Sequence, residues 1–165
     1  MPRIIAPCLA LLLAVLTAVA VAQEPQVGEL SSLDRQFMQQ QRDLLQELAA
    51  LRLGRRFSGE RERDLALLQA LLDRDIVRPD QTRELQAMGV ILGDHLAADL
   101  DLHWVVYEDQ LGRSRALRYR DSDTFLFPVT MIARRLEGGA EARVNEIYRK
   151  ASDTVERLRP ALPYR

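Results

Sequence analysis

The sequence predicts an α+β domain: four to five helices packed against a small antiparallel β-sheet, itself a hairpin plus a short third strand. Three observations predict it. Apolar residues recur at three- and four-residue steps in several separate stretches, the mark of helices with one buried face. Two neighbouring stretches, "LHWVVYED" and "SRALRYR", alternate instead and flank a short "DQLG". The only cysteine, Cys8, lies in an apolar leader, so a disulfide cannot hold the rest together and the sheet needs helices to cover it.

The leader comes first. Met1-Pro2-Arg3 gives a short positive start, and an almost unbroken apolar run follows from Ile4 to Ala22. It ends in Ala20-Val21-Ala22, with small residues where a signal peptidase needs them. Residues 1–22 read as a secretory signal peptide cut between Ala22 and Gln23, which leaves no integral membrane segment. A membrane anchor would want a basic flank after the run, and polar "QEPQ" stands there instead. Residues 23–30 form a polar lead-in, 31–158 a single α+β domain, and 159–165, "RPALPYR", a flexible tail.

The first helix is expected over about 31–53. Ser31 caps it, with Asp34 three residues on as an aspartate form of the capping box, and Gly54 ends it. Leu33, Phe37, Leu44, Leu45, Leu48, Leu51 and Leu53 are its expected apolar face. Ser58 should cap a second helix to about 73, with Leu65, Leu68, Leu71 and Leu72 inward. A third is expected from Pro79 to about 99 on a stripe of Leu85, Met88, Leu92 and Leu96. Gly89 and Gly93 sit one turn apart within it. Each costs about 1 kcal/mol relative to alanine, so the pair predicts another element crossing very close by. A phosphate-binding loop would place its glycines ahead of a helix, and these lie inside one.

The hairpin follows. Leu102, Trp104 and Val106 share one face of its first strand, His103, Val105 and Tyr107 the other. Gly112 is free to take positive φ in the turn. "TFLF" supplies the short third strand. Pro128 opens a fourth helix, with Val129, Ile132, Ala133 and Leu136 inward and Gly138-Gly139 as its stop. The fifth, about 141–158, carries Val144, Ile147, Tyr148, Ala151, Val155 and Leu158 at helical spacing.

Charge excludes some functions. The chain has 23 basic and 24 acidic residues, a balance that gives nucleic acid or an anionic membrane no grip. The basic residues are nearly all arginine, Lys150 being the sole lysine.

Motifs for chemistry are sparse. His95, His103, Asp94, Glu108 and Asp109 are the best metal donors. The histidines lack the i, i+4 spacing of a helical zinc pair, and His103 and Glu108 differ in strand parity, so no metal or other cofactor is expected. No serine sits in a G-x-S-x-G elbow; Ser114 and Ser122 belong to turns. The carboxylate pairs Glu108-Asp109 and Asp121-Asp123 flank a strand at hairpin ends, where solvated turn chemistry accounts for them. No catalytic residue is assigned.

What remains is an arginine and aromatic rim. Arg115, Arg118 and Arg120 follow the hairpin turn and Arg134-Arg135 sit late in the fourth helix, where cations suit the helix dipole. Salt bridges to Glu108, Asp109 and Asp121 are their plain reading. The sharper one is a binding surface of Trp104, Tyr107, Glu108, Arg118, Arg120, Arg134 and Arg135, because arginine and aromatic residues are enriched in interface hot spots. Trp104 and Tyr107 read equally as packing anchors.

From about Leu85 to Tyr148 the chain resembles an exported bacterial family known as a domain of unknown function and common in Gram-negative bacteria. "LQAMGVILGDHLA", "WVVYEDQLGRSRALRY", "FPVTMIARRLEGG" and "VNEIY" carry the resemblance, in that order. It implies a periplasmic location and brings no catalytic residues with it. The expectation is a soluble periplasmic binding or interaction domain, inhibitor- or chaperone-like, with another exported protein as partner. Two alternatives stay open: a hydrolase-type enzyme using acidic and histidine residues, and a cell-envelope component that uses the leucine-rich first helix. Nothing in the sequence sets an oligomeric state.

Overall fold

The computed structural model describes residues 24–158. The signal peptide with its Ala22–Gln23 cleavage site, and the tail at 159–165, lie outside the described residues. The elements run β1 (Gln26–Glu29), α1 (Ser32–Leu53), α2 (Arg61–Asp73), α3 (Thr82–Leu100), β2 (Leu102–Asp109), β3 (Gly112–Tyr119), β4 (Phe125–Leu126), α4 (Pro128–Glu137) and α5 (Val144–Leu158). The sheet is antiparallel throughout, in the order β1-β2-β3-β4. The predicted α+β class is the observed one. Among the described residues no helix is long and apolar enough to cross a membrane.

Helix α3 is the axis of the fold. It is buried from Leu85 through Leu96 save for Gln86 and Asp94, and its Leu85, Met88, Leu92 and Leu96 are the stripe its spacing predicts. The core joins it to Leu45 of α1, Leu65, Leu68 and Leu71 of α2, Leu102 and Leu117 of the hairpin, Ile132 of α4 and Ile147 and Val155 of α5. Gly89 and Gly93 explain how close this packing is. A Cβ on Gly89 would stand 2.5 Å from the Pro128 carbonyl oxygen and 2.6 Å from Val129 Cα. One on Gly93 would stand 2.4 Å from Trp104 Cζ2. The first turn of α4 and the tryptophan ring therefore lie directly on the α3 backbone.

The hairpin has the register its alternation requires: Leu102 faces Tyr119, Trp104 faces Leu117, and Val106 faces Arg115. Gly112 closes it with φ +121°. The third strand contracts to Phe125–Leu126. The lead-in is not only a lead-in: Gln26–Glu29 adds a fourth strand, with Gln26 opposite Glu108 and Glu29 opposite Val105. All four residues are exposed and one is glycine, so no alternation marks them as a strand.

Helix α1 begins and ends as expected, with both halves of the Ser31–Asp34 capping box formed and Gly54 left-handed at the end. Its face is the predicted one only in part: Leu45 is in the core and Leu44, Leu48 and Leu53 pack partly against it. Asp34, Met38, Gln41, Leu45 and Ala49 point inward, while Leu33 and Leu51 are 76% and 83% exposed. Those two leucines are five turns apart with Gln40 and Glu47 between them, so they make no continuous apolar strip. Ser58 does not cap α2. Glu60 is its N-cap without a side-chain bond, and the carboxylate of Asp64, inside the helix, accepts from the backbone N–H of Ser58 (2.9 Å) and Gly59 (2.8 Å). Helix α3 starts at Thr82, three residues after Pro79, and α5 at Val144.

Candidate functional site

The expected rim is divided among five places. Trp104 faces the helices, packs on Gly93 and donates its indole N–H to Asp94 Oδ1 (3.1 Å). Arg42 holds the same carboxylate through two bonds, of 2.7 and 2.9 Å, so Trp104 anchors the sheet to α3 and α1. Tyr107 lies on the opposite face of the sheet between Phe125 and Phe127, with ring centroids 5.0 and 5.3 Å away. Arg118 roofs that stack over Phe125 and donates to the backbone carbonyls of Ser122 (2.8 Å) and Asp121. Arg120, left-handed at φ 48°, reaches Asp101 at 3.6 Å. Glu108 stands exposed at the hairpin end opposite Gln26 and Arg113. The expected pairing of hairpin arginines with Glu108, Asp109 and Asp121 carboxylates is therefore replaced.

Their main acceptor is Asp34, 1% exposed, which sequence reasoning used only as a cap. Arg113 donates to both its oxygens (2.8 and 2.6 Å), Arg115 forms an ion pair with Oδ1 (2.9 Å), and Ser31 donates from its N–H and hydroxyl. The Arg113 bonds outweigh the opposing effect of burial and, with Ser31, hold the Asp34 carboxyl well below the usual range. Arg115 also lies 4.0 Å over the Phe37 ring. The start of α1 is thereby clamped to β3.

A second polar seam joins α2, α3 and α5. His95 Nε2 lies 3.1 Å from Asp64 Oδ2, both side chains buried. Beside it, Tyr148 and Arg61 donate to Asp99. Burial raises the Tyr148 hydroxyl, and the bond to Asp99 adds to that. Asp99 pays a burial penalty too, but the Tyr148 and Arg61 bonds win and its carboxyl is lowered. A histidine oriented by a buried aspartate is half of a triad. The nearby Ser58 hydroxyl, however, donates to Asp64 itself (3.2 Å), which makes the seam a structural pin. His103 is exposed on the far face of the sheet, and Asp94 is taken by Arg42, so the metal donors weighed in the sequence do not converge. Among the described residues no group of three or more His, Cys, Asp or Glu side chains could hold a metal ion.

Arg134 and Arg135 have no ion-pair partner among the described residues and face concave surface. Between α4, α5 and β4 runs a groove of about 500 Å³. Leu126, Met131, Ile147 and Ala151 form its floor; Arg134, Arg135 and Lys150 stand at its edge with Thr154. No carboxylate lines it. Lys150 joins this set without any signal in the sequence beyond its place about one turn after Ile147.

No curated protein matches the chain. A solved structure from Bacteroides thetaiotaomicron shares the fold, with a TM-score of 0.73 over 81% of this chain at 17% identity. The match covers 49% of that structure's own length. A family model described as a domain of unknown function (DUF3806) matches residues 64–148, from the Asp64 that pins α2 to the Tyr148 that bonds Asp99, and the chain belongs to that family.

Proposed function

We propose that the chain is a non-catalytic interaction domain, exported to the periplasm, that receives an acidic amphipathic helix of another exported protein in the α4–α5 groove. The observation that carries this is the groove's composition: an apolar floor edged by three cations with no carboxylate of its own. A helix presenting apolar residues at i, i+4 and i+7 would bury them on the floor, while flanking Asp or Glu residues meet the cations. Charge complementarity of this kind raises association rates and selects partners. The resemblance to an exported family and the leader support the compartment.

Two experiments test the reading. N-terminal sequencing of the protein recovered from the periplasm should begin at Gln23; a cytoplasmic chain that keeps its leader contradicts export. For the groove, the mature protein is used as bait in the periplasm of its own cells, beside Arg135→Glu with Lys150→Glu. A control reverses Arg55 and Arg56, exposed residues away from the groove. One partner carrying an acidic helix should be held by wild type and control and lost from the groove variant, with its affinity down at least about tenfold, as expected for opposed charges at an interface. Equal capture by all three baits refutes the groove.

A further inference from the structure

A smaller hollow lies on the other side of Arg134, where β3, α1, α3 and α4 meet. Its volume is about 180 Å³, room for a small molecule and not for a helix. Two phenyl rings, Phe37 and Phe127, form its walls. Three guanidinium groups reach it: Arg113, Arg115 and Arg134. Asp34 neutralises one charge of the three, and none of the residues that line the hollow is acidic. The hollow therefore keeps a net positive charge.

Its donors are also unspent. Arg134, Ser114 and Gln86 have no side-chain hydrogen bond among the described residues, and all three line the hollow. The first turn of α4 contributes Val129 and Thr130 and its last turn Arg134, so the hollow runs along the side of that helix. Arg113 and Arg115 are held in place by Asp34, which fixes part of the site before any ligand arrives. Donors without partners lining one small cavity beside two aromatic rings are the composition of an oxyanion site.

We propose that this hollow binds a small organic anion, with one carboxylate or phosphate head on Arg134, Ser114 and Gln86 and a flat apolar body between Phe37 and Phe127. The site is distinct from the α4–α5 groove, although Arg134 borders both. Arg135 and Lys150 belong to the groove alone, so the two proposals fail separately.

The test is an amide-shift titration of the ¹⁵N-labelled mature protein at fixed ionic strength, with benzoate, phenyl phosphate and inorganic phosphate as probes. Saturable shifts at Ser114, Arg115 and Thr130 with benzoate or phenyl phosphate are expected, and the stronger of the two names the head group. Inorganic phosphate, lacking the body, should bind more weakly. Arg134→Gln should weaken binding about tenfold or more, the worth of one charge-assisted bond, and Arg135→Gln should leave it unchanged. Arg134 is exposed and has no ion-pair partner among the described residues, so its variant should stay folded. Absence of saturable shifts with all three probes overturns the proposal. So does an Arg134→Gln protein that binds like wild type, or inorganic phosphate binding as tightly as the organic anions.

Discussion

Gly89→Ala should destabilise the protein by about 2 kcal/mol or more, although alanine is the better helix former by about 1 kcal/mol. The added Cβ meets backbone: the Pro128 carbonyl oxygen at 2.5 Å, and Val129 Cα and carbonyl oxygen at 2.6 Å. Backbone cannot rotate away, so α4 must lift off α3, and the groove and the hollow both move with it. Gly93→Ala is the instructive companion. Its Cβ meets chiefly the Trp104 ring, at 2.4 and 2.6 Å, and a side chain can shift. Its cost should be smaller, and it should show as a change in tryptophan fluorescence as the indole leaves Asp94. Urea unfolding measures both. A Gly89→Ala protein as stable as wild type would mean that α4 does not sit where the fold requires.

Asp34→Ala should cost about 3 kcal/mol, because it leaves Arg113 and Arg115 without their shared partner and removes the Asp34 half of the α1 capping box, the acceptor of the Ser31 N–H. Asn at this position keeps an oxygen for the Ser31 N–H and loses the charge, so its cost should be intermediate. The effect is tied to pH with a definite sign. The folded carboxyl sits below its ordinary range, so its stabilisation is complete above the unfolded value of about 4. It is lost as pH falls from there through the depressed folded value. Wild type should therefore lose stability on acidification below about pH 4, and Asp34→Asn should lose less over the same interval. Unfolding curves at neutral pH and at two acidic values decide it; parallel losses in the two proteins would count against the clamp.

Periodicity made most of the frame legible. The hairpin, the α3 stripe, the α5 face and the α1 capping box all follow from spacing or from one well-placed serine. The glycine pair in α3 announced a close crossing, because two unfavourable residues one turn apart need a packing reason. Two of the readings that the structure corrects have one physical cause each. The α1 face was traced through its leucines, but the buried line passes through Asp34 and Gln41, and a polar residue with partners elsewhere in the chain looks like surface until those partners are known. Strand β1 has no buried side and so no pattern to read.

The rim was legible in its residue types and not in its grouping. Trp104 and Arg118 are spent on intramolecular bonds, and Arg120 is paired with Asp101. Arg134 and Arg135 have no ion-pair partner among the described residues, and α4 turns them toward concave surface. Lys150 enters the groove from α5 and Gln86 the hollow from α3, so the packing of α4 against α5 places the first and its packing against α3 the second. The pairing of Asp34 with Arg113 and Arg115 is likewise a long-range contact, invisible to local spacing.

The measurement that tests the groove most directly is hydrogen exchange on the complex with the captured partner, compared with the free protein. New protection confined to the facing turns of α4 and α5, around Arg134–Arg135 and Ile147–Thr154, is the result this account predicts. Protection on the outer face of the sheet at Tyr107 and Arg118, with α4 and α5 exchanging as they do in the free protein, would contradict it.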